Sequence, residues 1–81
     1  VAKVTVEELK KLETLLKHWL DHNNEHAETY LKWAERIQGS EIRDTLGFER
    51  ADELSEIFKQ LWTRTKALND LFEIAIEKLK L

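Results

Sequence analysis

The sequence predicts an all-α fold: an antiparallel helical hairpin of two long helices, with a short helical turn in the connection, pairing as a dimer into a four-helix bundle. Three observations predict it. Apolar residues recur every 3.5 residues along two long stretches, separated by a short connection that carries the only two glycines. No stretch alternates with the period of two that a strand requires. And three Trp, three Phe and many Leu are more apolar side chains than one two-helix seam can cover.

Helix one is expected over residues 5–38. Thr5-Val6-Glu7-Glu8 is a capping box, in which the Thr5 hydroxyl accepts from the Glu8 amide. Val4 and Leu9 stand at the two ends of a hydrophobic staple, and Glu7 and Glu8 suit the positive end of the helix dipole. The seam then reads Leu9, Leu12, Leu16, Trp19, Asn23, His26, Tyr30, Trp33, Ile37. Gly39 is placed to stop the helix in a left-handed conformation. At about 1.5 Å per residue the helix is roughly 50 Å long. A seam sustained over that length reads as coiled-coil packing.

The connection covers 39–47. Ser40 is a candidate cap for a short helical turn holding Ile42 and Leu46, with a break near Gly47. Helix two follows over 48–80, with its seam at Ala51, Leu54, Phe58, Leu61, Thr65, Leu68, Phe72, Ala75 and Leu79. Trp62 flanks this seam and is expected at the contact between copies. A second long helix after a short connection folds back antiparallel. The homodimer is the expected assembly; a compact monomer with a bent second helix is the alternative.

Composition narrows the function classes. A chain of 81 residues is one small domain and buries a modest share of its surface. Such domains gain stability from disulfides, a metal or a partner subunit. With no cysteine, disulfides and thiolate metal sites are excluded, which leaves a partner, or a metal held by His and carboxylate. The 13 basic and 16 acidic residues are interspersed, giving a net charge of −3 and no basic patch for nucleic acid. No apolar run approaches the roughly 18 residues of a membrane span. The start, VAKVTVEEL, has no signal-peptide pattern. A cytoplasmic protein is the expectation.

The chemistry-bearing stretch is HWLDHNNEHAETYLKW, residues 18–33, which holds every histidine of the chain. His18, His22 and His26 are four apart and so lie along one side of a helix. On the expected seam His26 faces helix two, His22 flanks it and His18 leans to solvent. His22 and His26 form the i, i+4 pair that grips one ion through two imidazoles. A hairpin folded about residue 43 sets His26 near Gln60 and His22 near Arg64. One turn of offset brings Glu56 to His26 as a third ligand, and the metal set is then His22, His26, His18 and Glu56. Imidazole with carboxylate suits Zn, Ni, Cu or Fe, with Zn or Ni foremost. The bland counterpart is a hydrogen-bonded polar layer of His22, Asn23 and His26 that fixes register.

Enzymatic function is not expected. His22-Asn23-Asn24-Glu25-His26 fits the short H-x-x-E-H protease pattern, but that chemistry needs a distant further ligand and a cleft in a much larger frame. Ser40 and Ser55 sit in no nucleophile motif, and there is no glycine-rich phosphate loop. The run HWLDHNNEHAETYLKWA resembles a segment of small uncharacterised prokaryotic helical proteins built around H-W-x-x-H-N-x-x-H-A. The resemblance covers residues 18–34 and implies a helical hairpin with a histidine site at His18, His22 and His26. The expected function is a helical interaction module that binds a transition metal at its histidines. The alternative is a purely structural oligomerisation domain, and a metal-dependent hydrolase is a remote third.

Overall fold

A computed structural model describes residues 5–80 and is all-α. It consists of α1 (Val6–Ile37), the short α2 (Ser40–Leu46) and α3 (Phe48–Leu79). The two long helices pack against each other antiparallel along their length, and α2 closes one end. The result is a rod of 59 × 21 × 15 Å.

The helix ends follow from local chemistry, with two differences from the sequence reading. Thr5 caps α1, its side chain accepting from the Glu8 amide at 3.2 Å, with Glu7 and Glu8 in the first turn. The staple partner Val4 lies outside the described residues. Gly39 does not take the left-handed conformation. Its φ is −69°, and it serves as the cap of α2 in the place expected for Ser40. A Cβ at this position would sit 3.0 Å from the Arg36 carbonyl oxygen, a tight contact that glycine avoids. The positive φ falls at Gly47, at 88°, where the chain breaks between α2 and α3.

The seam between α1 and α3 keeps the 3.5-residue period but takes a different set of residues. Leu9, Leu16, Asn23, Tyr30 and Ile37 lie on it, as the apolar pattern indicates. Between them stand Glu13, Leu20, Ala27 and Ala34, one position past Leu12, Trp19, His26 and Trp33, and these last four are exposed. On α3 the same slip puts Ser55 and Asn69 in the buried seam and leaves Leu61 and Leu68 exposed. Trp62, expected at a contact between copies, is half-buried on this seam.

Close approach explains the slip. The buried residues are Ala27, Ala34, Ile37, Ala51, Ser55 and Asn69, most of them small. Ser55 donates its hydroxyl to the Ala34 carbonyl at 2.8 Å, a bond that forms only where the two backbones nearly touch. A Trp or His in those positions would hold the helices apart. The polar contact inside the hairpin is likewise not the histidine layer. Asn69 Nδ2 donates to Asn24 Oδ1 at 2.6 Å. Asn69 Oδ1 is buried and has no partner among the described residues.

Candidate functional site

The residues displaced from the seam form a stripe of their own. On α1, Leu12, Leu15, Trp19, His22, His26, Thr29 and Trp33 recur at steps of three and four and are all exposed. At about 100° per residue this stripe, one position before the seam, lies roughly 100° around the helix from it. On α3 the equivalent positions are Leu54, Ile57, Leu61, Arg64, Leu68 and Leu71. Exposure reaches 54% at Ile57 and 62% at Leu71.

Both stripes open to the same side of the hairpin. Arg43 shows this from the opposite side: its guanidinium reaches Gln38, the residue capping the end of α1, and, at 3.4 Å, Asp52 of α3. Gln38 and Asp52 belong to the rows that follow the seam residues Ile37 and Ala51. The rows that precede the seam residues, which carry the stripes, therefore share the other side. The side marked by Arg43 is polar, with Lys10, Lys17, Asn24 and Glu28 on α1 and Asp52, Lys59, Lys66 and Asp70 on α3. The hairpin thus has one apolar and one charged face.

The three histidines stand in line on the apolar side. The ring centroids of His18 and His22 are 5.8 Å apart, and those of His22 and His26 are 4.8 Å apart, edge to face. His26 stacks on Tyr30 at 6.1 Å, and Tyr30 meets Phe58 of α3 at 6.4 Å. The row therefore ends on the seam, though the imidazoles themselves are exposed. Helical spacing alone sets this geometry, so the structure brings His18, His22 and His26 together as the sequence indicates.

Glu56 is not part of the group. The contacts Tyr30–Phe58, Ala34–Ser55, Trp19–Phe72 and Asn24–Asn69 pair residues whose numbers add to between 88 and 93, where a fold about residue 43 gives 86. The helical α2 takes up length in the connection and moves the pivot. Ser55 then sits at Ala34, eight residues or about 12 Å along α1 from His26. Glu56 follows Ser55 on the charged face, not the histidine side. Among the described residues no group of three or more His, Asp or Glu side chains is arranged to hold a metal ion. In one chain His22 and His26 are a pair of neighbouring exposed imidazoles. One surface groove lies by Leu46, Leu54 and Ile57, and another by Lys10, Thr14 and Leu15, away from the imidazoles.

One carboxylate on the seam is electrostatically set. Lys17 Nζ donates to Glu13 Oε1 at 2.8 Å. This hydrogen bond, with the Lys17 charge, holds the Glu13 carboxyl below its ordinary pKa.

The sequence reading missed Ser55, Asn69 and Asn24 as contacts between the helices. The signal for them was the small-residue series: Ala27 and Ala34 are one heptad apart, and Ala51 and Ser55 are one turn apart.

Residues 12–79 match the family described as a domain of unknown function, DUF8180. The chain belongs to this family. The match spans the histidine row and both apolar stripes, so the face described above lies inside the family domain. No curated protein and no solved structure matches the chain. Among the described residues no helix is long and apolar enough to cross a membrane.

Proposed function

We propose that this DUF8180 chain is a non-enzymatic self-association module. Two hairpins pack apolar face to apolar face into a four-helix bundle, with the histidine row inside the contact as donors for a transition metal. The accessible area carries the reading. The chain exposes 6632 Å² at 9.6 kDa, whereas a compact monomer of that mass exposes about 5,100 Å². The excess, about 1,500 Å² per chain, exceeds the roughly 800 Å² that each partner buries in a standard interface and matches a large homodimer.

A second copy fits the face better than an unrelated partner. The stripes on α1 and α3 run over comparable lengths, from Leu12 to Trp33 and from Leu54 to Leu71, so a two-fold mate covers both at once. The hairpin alone has little holding it. Its largest fully buried side chain is Ser55, and three of its four buried apolar residues are Ala. Burying a Leu side chain adds roughly 1.5–3 kcal/mol, and Leu12, Leu15, Leu61, Leu68 and Leu71 sit on the open face with Trp19 and Trp33. Sedimentation equilibrium at micromolar concentration tests the reading. A mass of two chains is expected; a helical monomer overturns it.

The purely structural reading keeps the dimer and gives the histidines only a register role. It is favoured by the position of the row, since polar groups within an apolar contact fix alignment at some cost in stability. Zinc or nickel titration followed by thermal melting separates the two. A melting temperature unmoved by either ion leaves the structural reading.

A further inference from the structure

We infer that the dimer holds one divalent first-row transition-metal ion on its two-fold axis, between His22 and His26 of one chain and the same pair of the other, with the two α1 helices face to face and antiparallel. This rests on the dimer reading and specifies its centre.

The half-site has the right spacing. Two imidazoles on one tetrahedral ion, each nitrogen about 2.0–2.1 Å from it, have ring centroids roughly 5 Å apart, a little over 5 Å at the ideal angle. The His22 and His26 centroids are 4.8 Å apart. The chain supplies no third ligand, and a tetrahedral ion needs four. A symmetric mate supplies the missing two.

The position along the stripe sets the symmetry. Leu12, Leu15 and Trp19 lie on one side of the pair and Thr29 and Trp33 on the other, so the pair sits at the middle. A face-to-face dimer of hairpins has two symmetric arrangements. In one, α1 lies on the partner's α3, and the imidazoles face the level of Arg64, a fixed cation on that stripe. That leaves the buried imidazoles facing a guanidinium, which offers them no acceptor and opposes a bound cation. Arg64 lies on the α3 contact in either arrangement, but only in this one does it face the imidazoles. In the other, α1 lies on α1, and a dyad between His22 and His26 brings the two pairs together. Trp33 then covers the partner's Leu15, and Trp19 covers the partner's Thr29, large against smaller. An ion shared by four imidazoles satisfies the nitrogens that the apolar contact strands. His18 lies on the outer edge of the row and is not a ligand.

Zinc chloride titrated into the full chain tests this, read by calorimetric stoichiometry, sedimentation and melting temperature. One ion per two chains and a raised melting temperature are expected. The variant His22→Gln, His26→Gln keeps a polar centre; it should remain a dimer by mass and lose zinc affinity at least 100-fold, while His18→Gln binds as the parent does. A dimer that takes up no zinc, or one ion per chain, overturns the inference and leaves the dimer standing. A monomeric mass with and without zinc overturns both. The arrangement has its own test, because the chain has no cysteine. Trp19→Cys, Thr29→Cys places thiols about 15 Å apart within one helix, too far to join, but adjacent across the proposed dyad. The metal-free dimer of this variant, treated with diamide as the two-electron oxidant, should become a covalent dimer. Zinc is left out because thiolates beside the imidazoles would ligate it. Failure to cross-link overturns the α1-on-α1 packing.

Discussion

The seam and the open stripe of α1 differ by one residue in phase and by a great deal in content. The seam takes Ala27 and Ala34, against Ala51 and Ser55 of α3, and its helices touch. The stripe next to it takes Leu12, Trp19, His26 and Trp33, side chains too large for that gap. The comparison separates two tasks that share one repeat. Small residues set how closely the two helices approach, larger ones such as Tyr30, Phe58 and Trp62 flank that contact half-buried, and the stripe leaves Leu12, Trp19 and Trp33 exposed. The other long helix, α3, carries the same doubled pattern at Leu54, Leu61 and Leu68 beside Ser55, Trp62 and Asn69.

The largest effect is expected from charging the open stripe. Leu61→Glu, Leu68→Glu should abolish the proposed dimer in sedimentation and lower the melting temperature by more than ten degrees. The matched pair on the charged face, Lys59→Glu, Thr63→Glu, should change stability by no more than about 0.5 kcal/mol. Equal losses from both pairs would erase the distinction between the faces. Next comes filling the seam. Ala34→Leu adds three carbons at a fully buried position and should cost about 1–3 kcal/mol in denaturant unfolding. Little or no loss would mean the helices are not in close contact there.

Two smaller changes address polar groups of the seam. Ser55→Ala removes the hydroxyl bonded to the Ala34 carbonyl and should cost about 1 kcal/mol, since the carbonyl is on a helix and the site is dry. Asn69→Leu has the opposite expected sign. It removes an oxygen with no partner among the described residues, so stability should hold or rise by about 1 kcal/mol. The loss should show instead as doubled amide resonances, because a buried Asn disfavours alternative registers. A single set of resonances with unchanged exchange protection would deny Asn69 that role.

The smallest effect is at Glu13. Its folded pKa is lowered, first by the Lys17 hydrogen bond and then by the Lys17 charge. A depressed carboxylate stabilises the fold above its unfolded pKa, and the contribution is lost as pH falls through the folded value. Glu13→Gln should therefore melt slightly lower than the parent at neutral pH, and the gap should close on acidification below the ordinary carboxylate range. A gap that widens with acid would reverse the assignment.

The all-α hairpin was legible because heptad spacing and the Thr5 cap act locally, within a few residues. The histidine row was legible for the same reason, since an i, i+4 relation needs only a helix. The seam phase was not. Ranking positions by apolarity selects Trp19 over Leu20 and His26 over Ala27, but a two-helix contact is limited by distance, and distance favours the smaller residue. Glu56 was misplaced because register depends on how much chain the connection consumes. The helical α2 and the turn at Gly47 decide that.

By itself the sequence determined that two long amphipathic helices form, where α1 begins, and that His18, His22 and His26 share one side, all consequences of short-range backbone geometry. Only the tertiary structure decided which of two neighbouring phases is spent inside the hairpin and which is left open. That choice turns on interhelical distance and register, which are set by side chains meeting across more than twenty residues of chain and are therefore written in no local pattern.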